Sequence, residues 1–230
     1  MDMNLAAGVI EDTLGLQAPL IALAFVDARP NTVEELAEPA PSACSFWRSA
    51  ETSTFYAPAQ SHQNCAVGAM VMGFDSVEQG EALSETVDKM VGSSYLSPEE
   101  VPNIPAVAKN GAGIVYGPLR EFPLEPDAVL VWLSPTQAML FGEAGGNVAW
   151  SESSTGVLGR PACAAVPLAM NNLRSQLSLG CVGMRTFTEI SDDRMLGVLP
   201  GAQVRSFSES LRVVKGANDS MAAVYEEGKH

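Results

Sequence analysis

Four cysteines are the residues of this sequence best suited to chemistry: Cys44, Cys65, Cys163 and Cys181. Four thiolates that a fold brings together can ligate an iron–sulfur cluster. Structural zinc sites usually contain a Cys-x-x-Cys pair, and this chain has none. We therefore predict a [4Fe–4S] cluster on the four cysteines, with zinc as the alternative metal. The remaining interpretation is four unrelated thiols, because free cysteine is among the most buried residue types.

The segment Leu177–Arg185 carries the most specific pattern, an apolar run that ends in Gly-Cys-x-Gly and is followed by arginine. Gly180 and Gly183 allow a sharp turn around Cys181, since glycine accepts a positive φ. Such a turn presents the sulfur and several backbone N–H groups to one point. We predict that Gly183 belongs to the cofactor-binding loop. We also predict that Arg185, together with His62, poises the cluster or binds an anionic substrate.

A metal-free hypothesis centres on Cys65, which follows His62 by three residues. Ser61 or Asn64 can cap a helix there, and the helix dipole would lower the pKa of a thiol in the first turn. With His62 as a base, Cys65 would be an enzyme's nucleophile. A surface or capping role for His62 carries equal weight. A Ser-His-Asp hydrolase is not indicated, because Gly-x-Ser-x-Gly is absent and the second histidine is His230, expected to be a disordered end or tag remnant.

Three classes of function follow from these residues. The first is an iron–sulfur protein with a redox or lyase-type role on a small molecule, acting as an enzyme or an electron carrier. The second is the cysteine-nucleophile enzyme. The third is a small-molecule binding protein without catalysis. The expected partner is a small molecule or a redox protein, and the chain could form homo-oligomers.

Composition limits which partners the protein could bind and which compartment it could occupy. The 230 residues include 47% hydrophobic and 17% charged side chains, enough for a sizeable core. A net charge of −14 argues against nucleic acid or an anionic membrane as partner, since both would repel the chain. The N-terminus lacks the basic region of a signal peptide, and no apolar run reaches about 18 residues. We predict a cytoplasmic protein whose cysteines are reduced or metal-bound.

The elements that must position these cysteines alternate between buried strands and capped helices. Residues 20–26, 112–116 and 128–133 are apolar runs typical of strands covered on both faces. Ser134 and Pro135 predict a helix start immediately after the third run, and Gly15 predicts the end of a helix over residues 3–14. We therefore predict a single α/β or α+β domain over residues 1–230, with a mixed sheet flanked by helices. Two intimately packed halves, about 1–117 and 127–230, are the alternative.

Several local expectations concern the rest of the chain. Pro161 at the first position of a helix would place Cys163 in the first turn, as predicted for Cys65. Residues 93–110 contain three prolines and predict a loop, or short helical turns, that covers another part of the molecule. Residues 202–214 and 218–227 predict two C-terminal helices.

The cysteine segments also resemble a known family. They read Cys44, His62-x-x-Cys65-Ala-x-Gly68, Arg160-Pro-x-Cys163, Ser178-Leu-Gly-Cys181-x-Gly-x-Arg185 and Met195-Leu-Gly-x-x-Pro200. This set resembles family 169 of the domains of unknown function, found in prokaryotes that include many anaerobes and archaea, over most of the chain from Pro19 to about Pro200. The resemblance implies a shared four-cysteine site and no particular reaction. Ala69 departs from the second glycine that some members carry, which implies a less open backbone beside Cys65.

Overall fold

The computed structural model describes residues 2–37, 40–74, 79–109, 111–151 and 160–229. The terminal His230 lies outside these residues. The strands are β1 (Ile21–Val26), β2 (Phe55–Pro58), β3 (Gly113–Pro118), β4 (Ala128–Leu133), β5 (Ala149–Trp150), β6 (Gln176–Ser178) and β7 (Met195–Pro200). The helices are α1 (Met3–Leu14), α2 (Ser45–Ser49), α3 (Ala66–Val71), α4 (Gln79–Gly92), α5 (Pro135–Gly145), α6 (Ala165–Asn172), α7 (Val182–Thr188) and α8 (Val204–Glu227).

The strands form one mixed sheet in the order β2-β3-β1-β4-β7-β6-β5. Every neighbouring pair is antiparallel except β5 and β6, which run parallel. β1 lies inside the sheet between β3 and β4, where Ile21 is opposite Pro118 on one side and Leu130 on the other. The predicted α/β fold, a single domain with a mixed sheet flanked by helices, is confirmed, as are its three buried strands.

Both faces of this sheet are covered because successive side chains of the central strands point to opposite sides. Ile21 and Leu23 face a core built with α2, α3, α6 and α7, which we call the cysteine face. Leu20 and Ala22 face a second core, built with α1, α5 and α8. Double coverage explains why these strands are continuous apolar runs in the sequence rather than alternating ones.

Local sequence determines two helix boundaries. At the start of α5, the Ser134 hydroxyl accepts from the backbone N–H of Gln137, and the side-chain oxygen of Gln137 accepts from the Ser134 N–H. At the end of α1, Gly15 adopts φ 62°, and its N–H satisfies a last-turn carbonyl. Both boundaries match the predictions from sequence.

Two expectations about helices were wrong. The C-terminal segment is one 24-residue helix, α8, rather than two. We expected a break at residues 215–217. Gly216 in this stretch costs only about 1 kcal/mol of helix propensity, and an ion pair between Lys215 and Asp219 stabilises the helix across it. Cys163 lies in a 3₁₀ turn that precedes α6, because Pro161 is extended and the α-helix begins only at Ala165.

No helix among the described residues is long and apolar enough to cross a membrane.

Candidate functional site

All four cysteines line one cavity of about 290 Å³ on the cysteine face. They come from separate segments, which precede α2, α3, α6 and α7. Cys44 and Cys163 are buried and form its floor, whereas Cys65 and Cys181 are partly exposed and lie nearer the rim. None of the four is in a disulfide. The structure therefore brings together all the cysteines that the sequence singled out.

Two of the cysteines cap the helices that follow them. The Cys65 Sγ accepts the backbone N–H of Gly68 at 3.3 Å, and the Cys181 Sγ accepts that of Met184 at 3.4 Å. Both cysteines are therefore N-cap residues, and the expectation that Cys65 lies inside the first turn was wrong by one position. The sulfurs of Cys65 and Cys181 therefore each accept one backbone hydrogen bond.

The two floor cysteines are held in their protonated form. Burial, then the negative charges of Cys181 and Cys65, raise the pKa of the Cys44 thiol far above its ordinary value, although a hydrogen bond with Ser42 opposes this. Burial and the other three cysteines likewise raise the pKa of the Cys163 thiol. The charges of neighbouring cysteines thus add to the effect of burial at both floor thiols. Without a bound cation, a thiolate on the floor is unfavourable.

Gly180 and Gly183 play different parts in the loop around Cys181. Gly180 has φ 80°, as the turn requires, whereas Gly183 lies within α7. Gly183 lines the cavity, and a Cβ there would lie 3.9 Å from the Cys181 sulfur, an ordinary contact. Gly183 is therefore a helix residue beside the cavity and not part of the turn, and its role toward a cofactor stays a prediction.

Arg185 does not line the cavity among the described residues. Its Nη2 donates to the carbonyls of Leu179 at 2.7 Å and Arg194 at 3.0 Å, and its Nη1 to that of Ser191 at 3.4 Å. These bonds tie the loop before Cys181 to the segment before β7. In this conformation Arg185 positions the Cys181 loop and has no contact with the cavity.

His62 is buried in the aromatic core beneath the site and is not a cavity-lining residue. Its Nδ1 lies 3.0 Å from the Pro58 carbonyl, so it must carry the proton, and its Nε2 accepts from the Tyr116 hydroxyl at 3.0 Å. Burial lowers its pKa to about 4. Both ring nitrogens are engaged, and the ring is not placed as a base for Cys65.

Two cavity residues were missed as site residues by sequence reasoning. Arg160 and Tyr95 both line the cavity, and the guanidinium carbon of Arg160 lies 4.5 Å from the centre of the Tyr95 ring. The signal for Arg160 was present, since it directly precedes Pro161 in the Cys163 motif. Tyr95 belongs to the proline-containing loop after α4, and Leu96 and Ile104 of that loop also line the cavity. The expectation that this loop covers something is thus confirmed.

The donor set suits some metal groups better than others. Across the described part of the chain, no three His, Cys, Asp or Glu side chains converge closely enough to hold one metal ion. The four thiols all line the same cavity. Carboxylates and histidines are absent from the described lining of this cavity.

Comparison with known proteins gives one match. A search of curated proteins and a search of solved structures each found no match. The family model DUF169, described as "Uncharacterised ArCR", matches residues 9–210, which is most of the chain and includes all four cysteines. The chain therefore belongs to this uncharacterised family.

Proposed function

We propose that Cys44, Cys65, Cys163 and Cys181 ligate a [4Fe–4S] cluster, and that the protein performs redox or lyase-type chemistry on a small molecule there. The observation that carries this proposal is the convergence of four thiols, from four separate segments, on one largely apolar cavity. Unrelated buried cysteines would be expected to scatter over both cores of the molecule. Here they all lie on the cysteine face, at the starts of its helices.

The hydrogen bonds at the sulfurs support a bound cluster. The N–H groups of Gly68 and Met184 already donate to Cys65 and Cys181. Hydrogen bonds to cluster sulfurs are among the features that set a cluster's reduction potential. The buried floor at Cys44 and Cys163 would limit the access of water to half of the ligands. A bound cluster would supply electron transfer or a Lewis-acidic iron.

A single zinc ion has less support than a cluster. Tetrahedral zinc binds thiolates at about 2.3 Å, which requires sulfurs roughly 3.8 Å apart around one point. The described residues hold no group arranged in that way. A [4Fe–4S] cluster bonds each cysteine to a different iron, so its four ligands surround a wider space.

The metal-free nucleophile has less support. A nucleophilic thiol needs a nearby base or cation. His62 is engaged with Pro58 and Tyr116, and burial lowers its pKa to about 4. We therefore regard an enzyme that uses Cys65 and His62 as the less supported of the two functions.

The expected setting is a reducing compartment. Four free thiols and no disulfide suit the cytoplasm, where thiols stay reduced. The net charge of −14 disfavours nucleic acid and anionic membranes as partners. A small-molecule substrate or a redox protein remains the expected partner.

Anaerobic metal analysis of the full chain tests the proposal. Protein purified without oxygen should be brown and contain about four irons and four sulfides per chain. Cys181→Ser should reduce or abolish this content, because it removes one ligand. Val182→Ser is the matched control: it changes the next residue, which is 63% exposed and has no ligand atom, and should keep the iron.

Two results would contradict the iron–sulfur assignment. One is a colourless anaerobic protein that also fails reconstitution with iron and sulfide. The other is stoichiometric zinc that Cys181→Ser removes, which would retain the ligand set but change the chemistry to a Lewis-acidic or structural role.

A further inference from the structure

Arg160 is the single charged side chain among the described residues that line the cavity. It shares the wall with apolar side chains of α4, of the loop that follows α4, and of α7, including Met90, Ile104 and Phe187. A cation on an apolar wall requires a partner, because removing its charge from water costs free energy that only a paired group offsets.

The contacts of Arg160 hold it in place but leave it short of acceptors. The guanidinium stacks on Tyr95, and Nη2 lies 3.6 Å from Oε1 of Glu100. The other carboxylate oxygen of Glu100 accepts the backbone N–H of Ser97 at 2.7 Å. The Nε of Arg160 is buried and has no hydrogen-bond partner within the described chain.

A buried N–H without an acceptor destabilises a fold and calls for an explanation. Arg160 lines a cavity that is open to solvent at its rim, and its side chain is 23% exposed. A bound carboxylate would give this guanidinium a strong acceptor, because the guanidinium fork matches a carboxylate with two parallel hydrogen bonds.

We propose that Arg160 binds the carboxylate of a small organic acid whose compact apolar body packs against Met90, Ile104 and Phe187. A monoanion fits better than a dianionic phosphate, because Glu100 already balances part of the Arg160 charge and no second cation lines the described cavity. The inference is separate from the metal proposal, since it concerns the Arg160 wall and requires no iron.

Binding of 3-methylbutyrate and its uncharged analogue 3-methylbutyramide to the full-length protein, measured by calorimetry, tests this assignment. The carboxylate should bind and the amide should bind at least about tenfold more weakly, the usual scale for losing a charge-assisted hydrogen bond. Arg160→Gln should weaken carboxylate binding by a similar factor. Arg205→Gln is the matched control. Arg205 lies on α8, away from the cavity, and pairs with the exposed Glu125.

Other outcomes would overturn the proposal. These are equal affinity for the acid and the amide, no binding of the acid, unchanged binding by Arg160→Gln, or preferential binding of inorganic phosphate. If Arg160→Gln fails to fold, the affinities of the unmodified protein for the acid and the amide still test the proposal. Iron and sulfide measured on the same samples keep this test apart from the cluster proposal: iron-free protein that binds the acid supports Arg160 alone.

Discussion

At the scale of single residues, His62 is defined by what surrounds it. Phe46 and Phe74 each lie 4.8 Å from the imidazole, centre to centre, and the two ring nitrogens are matched by Pro58 and Tyr116. Protonation would place an extra N–H against the Tyr116 oxygen in a buried site. The neutral ring is therefore part of the folded structure.

We predict that His62 makes stability depend on pH. Its pKa falls from 6.5 to about 4 on folding, so the unfolded chain binds more protons between these values, and the free energy of unfolding should decrease as pH falls through this window. The loss should approach about 3 kcal/mol. Urea titrations from pH 7 to pH 4 measure it.

His62→Gln is the control for that measurement, because glutamine keeps one donor and one acceptor and does not titrate. Acidic residues titrate in both proteins, so the difference between the two pH profiles isolates His62. The variant should be less stable at pH 7 and lose less stability on acidification. Parallel profiles would show that His62 titrates normally in the folded protein.

At the scale of elements, the start of α3 depends on the close approach of two segments. A Cβ on Gly68 would lie 2.8 Å from the Ala43 Cβ and 3.0 Å from the Cys65 sulfur. Ala43 directly precedes Cys44, so the absence of a side chain at Gly68 sets how closely the Cys44 segment approaches Cys65. The short α3 is thereby tied to the geometry of the site.

We predict that Gly68→Ala destabilises the protein. Alanine gains about 1 kcal/mol of helix propensity, but overpacking against Ala43 costs typically 1–3 kcal/mol, so the net effect should be a loss. Gly216→Ala in α8 should instead stabilise by roughly 0.5–1 kcal/mol, because no atom outside its own helix lies within 4 Å of its added Cβ. Chemical denaturation measures both, and equal gains for the two variants would contradict the close approach.

At the scale of the whole molecule, the sheet separates the core that contains the site from a second core on its other face. The core with α1, α5 and α8 carries no cysteine, whereas the cysteine face holds the cavity and its four thiols. The last part of α8 contributes little to either core: its buried residues end at Leu211, and residues 219–229 are exposed. The fold should therefore not require that end.

We predict that ending the chain after Asp219 leaves stability within about 1 kcal/mol of the full-length value, since no buried apolar contact is lost. Leu211→Ala, in the same helix but fully buried, should cost about 2–5 kcal/mol. Thermal and urea unfolding compare the two. A large loss on truncation would show that the exposed end of α8 has a partner.

The sequence alone predicts the features that depend on neighbours in the chain. The apolar runs of β1, β3 and β4 predict buried strands, because coverage on both faces demands them. The Ser134 cap and Gly15 predict helix ends, because a cap is made within four residues. It also determined which side chains could bind a metal, and its cysteine motifs already indicated the family.

Which of these residues come into contact is a property of the tertiary structure. The four thiols converge because the helices they precede all pack on one face of the sheet, and strand order is set by contacts far apart in sequence. Burial and hydrogen-bond partners followed from the same packing: it placed His62 in an aromatic core, turned Arg185 to backbone carbonyls and put Arg160 on the cavity wall. These properties belong to the surroundings of each side chain, and sequence spacing does not record them.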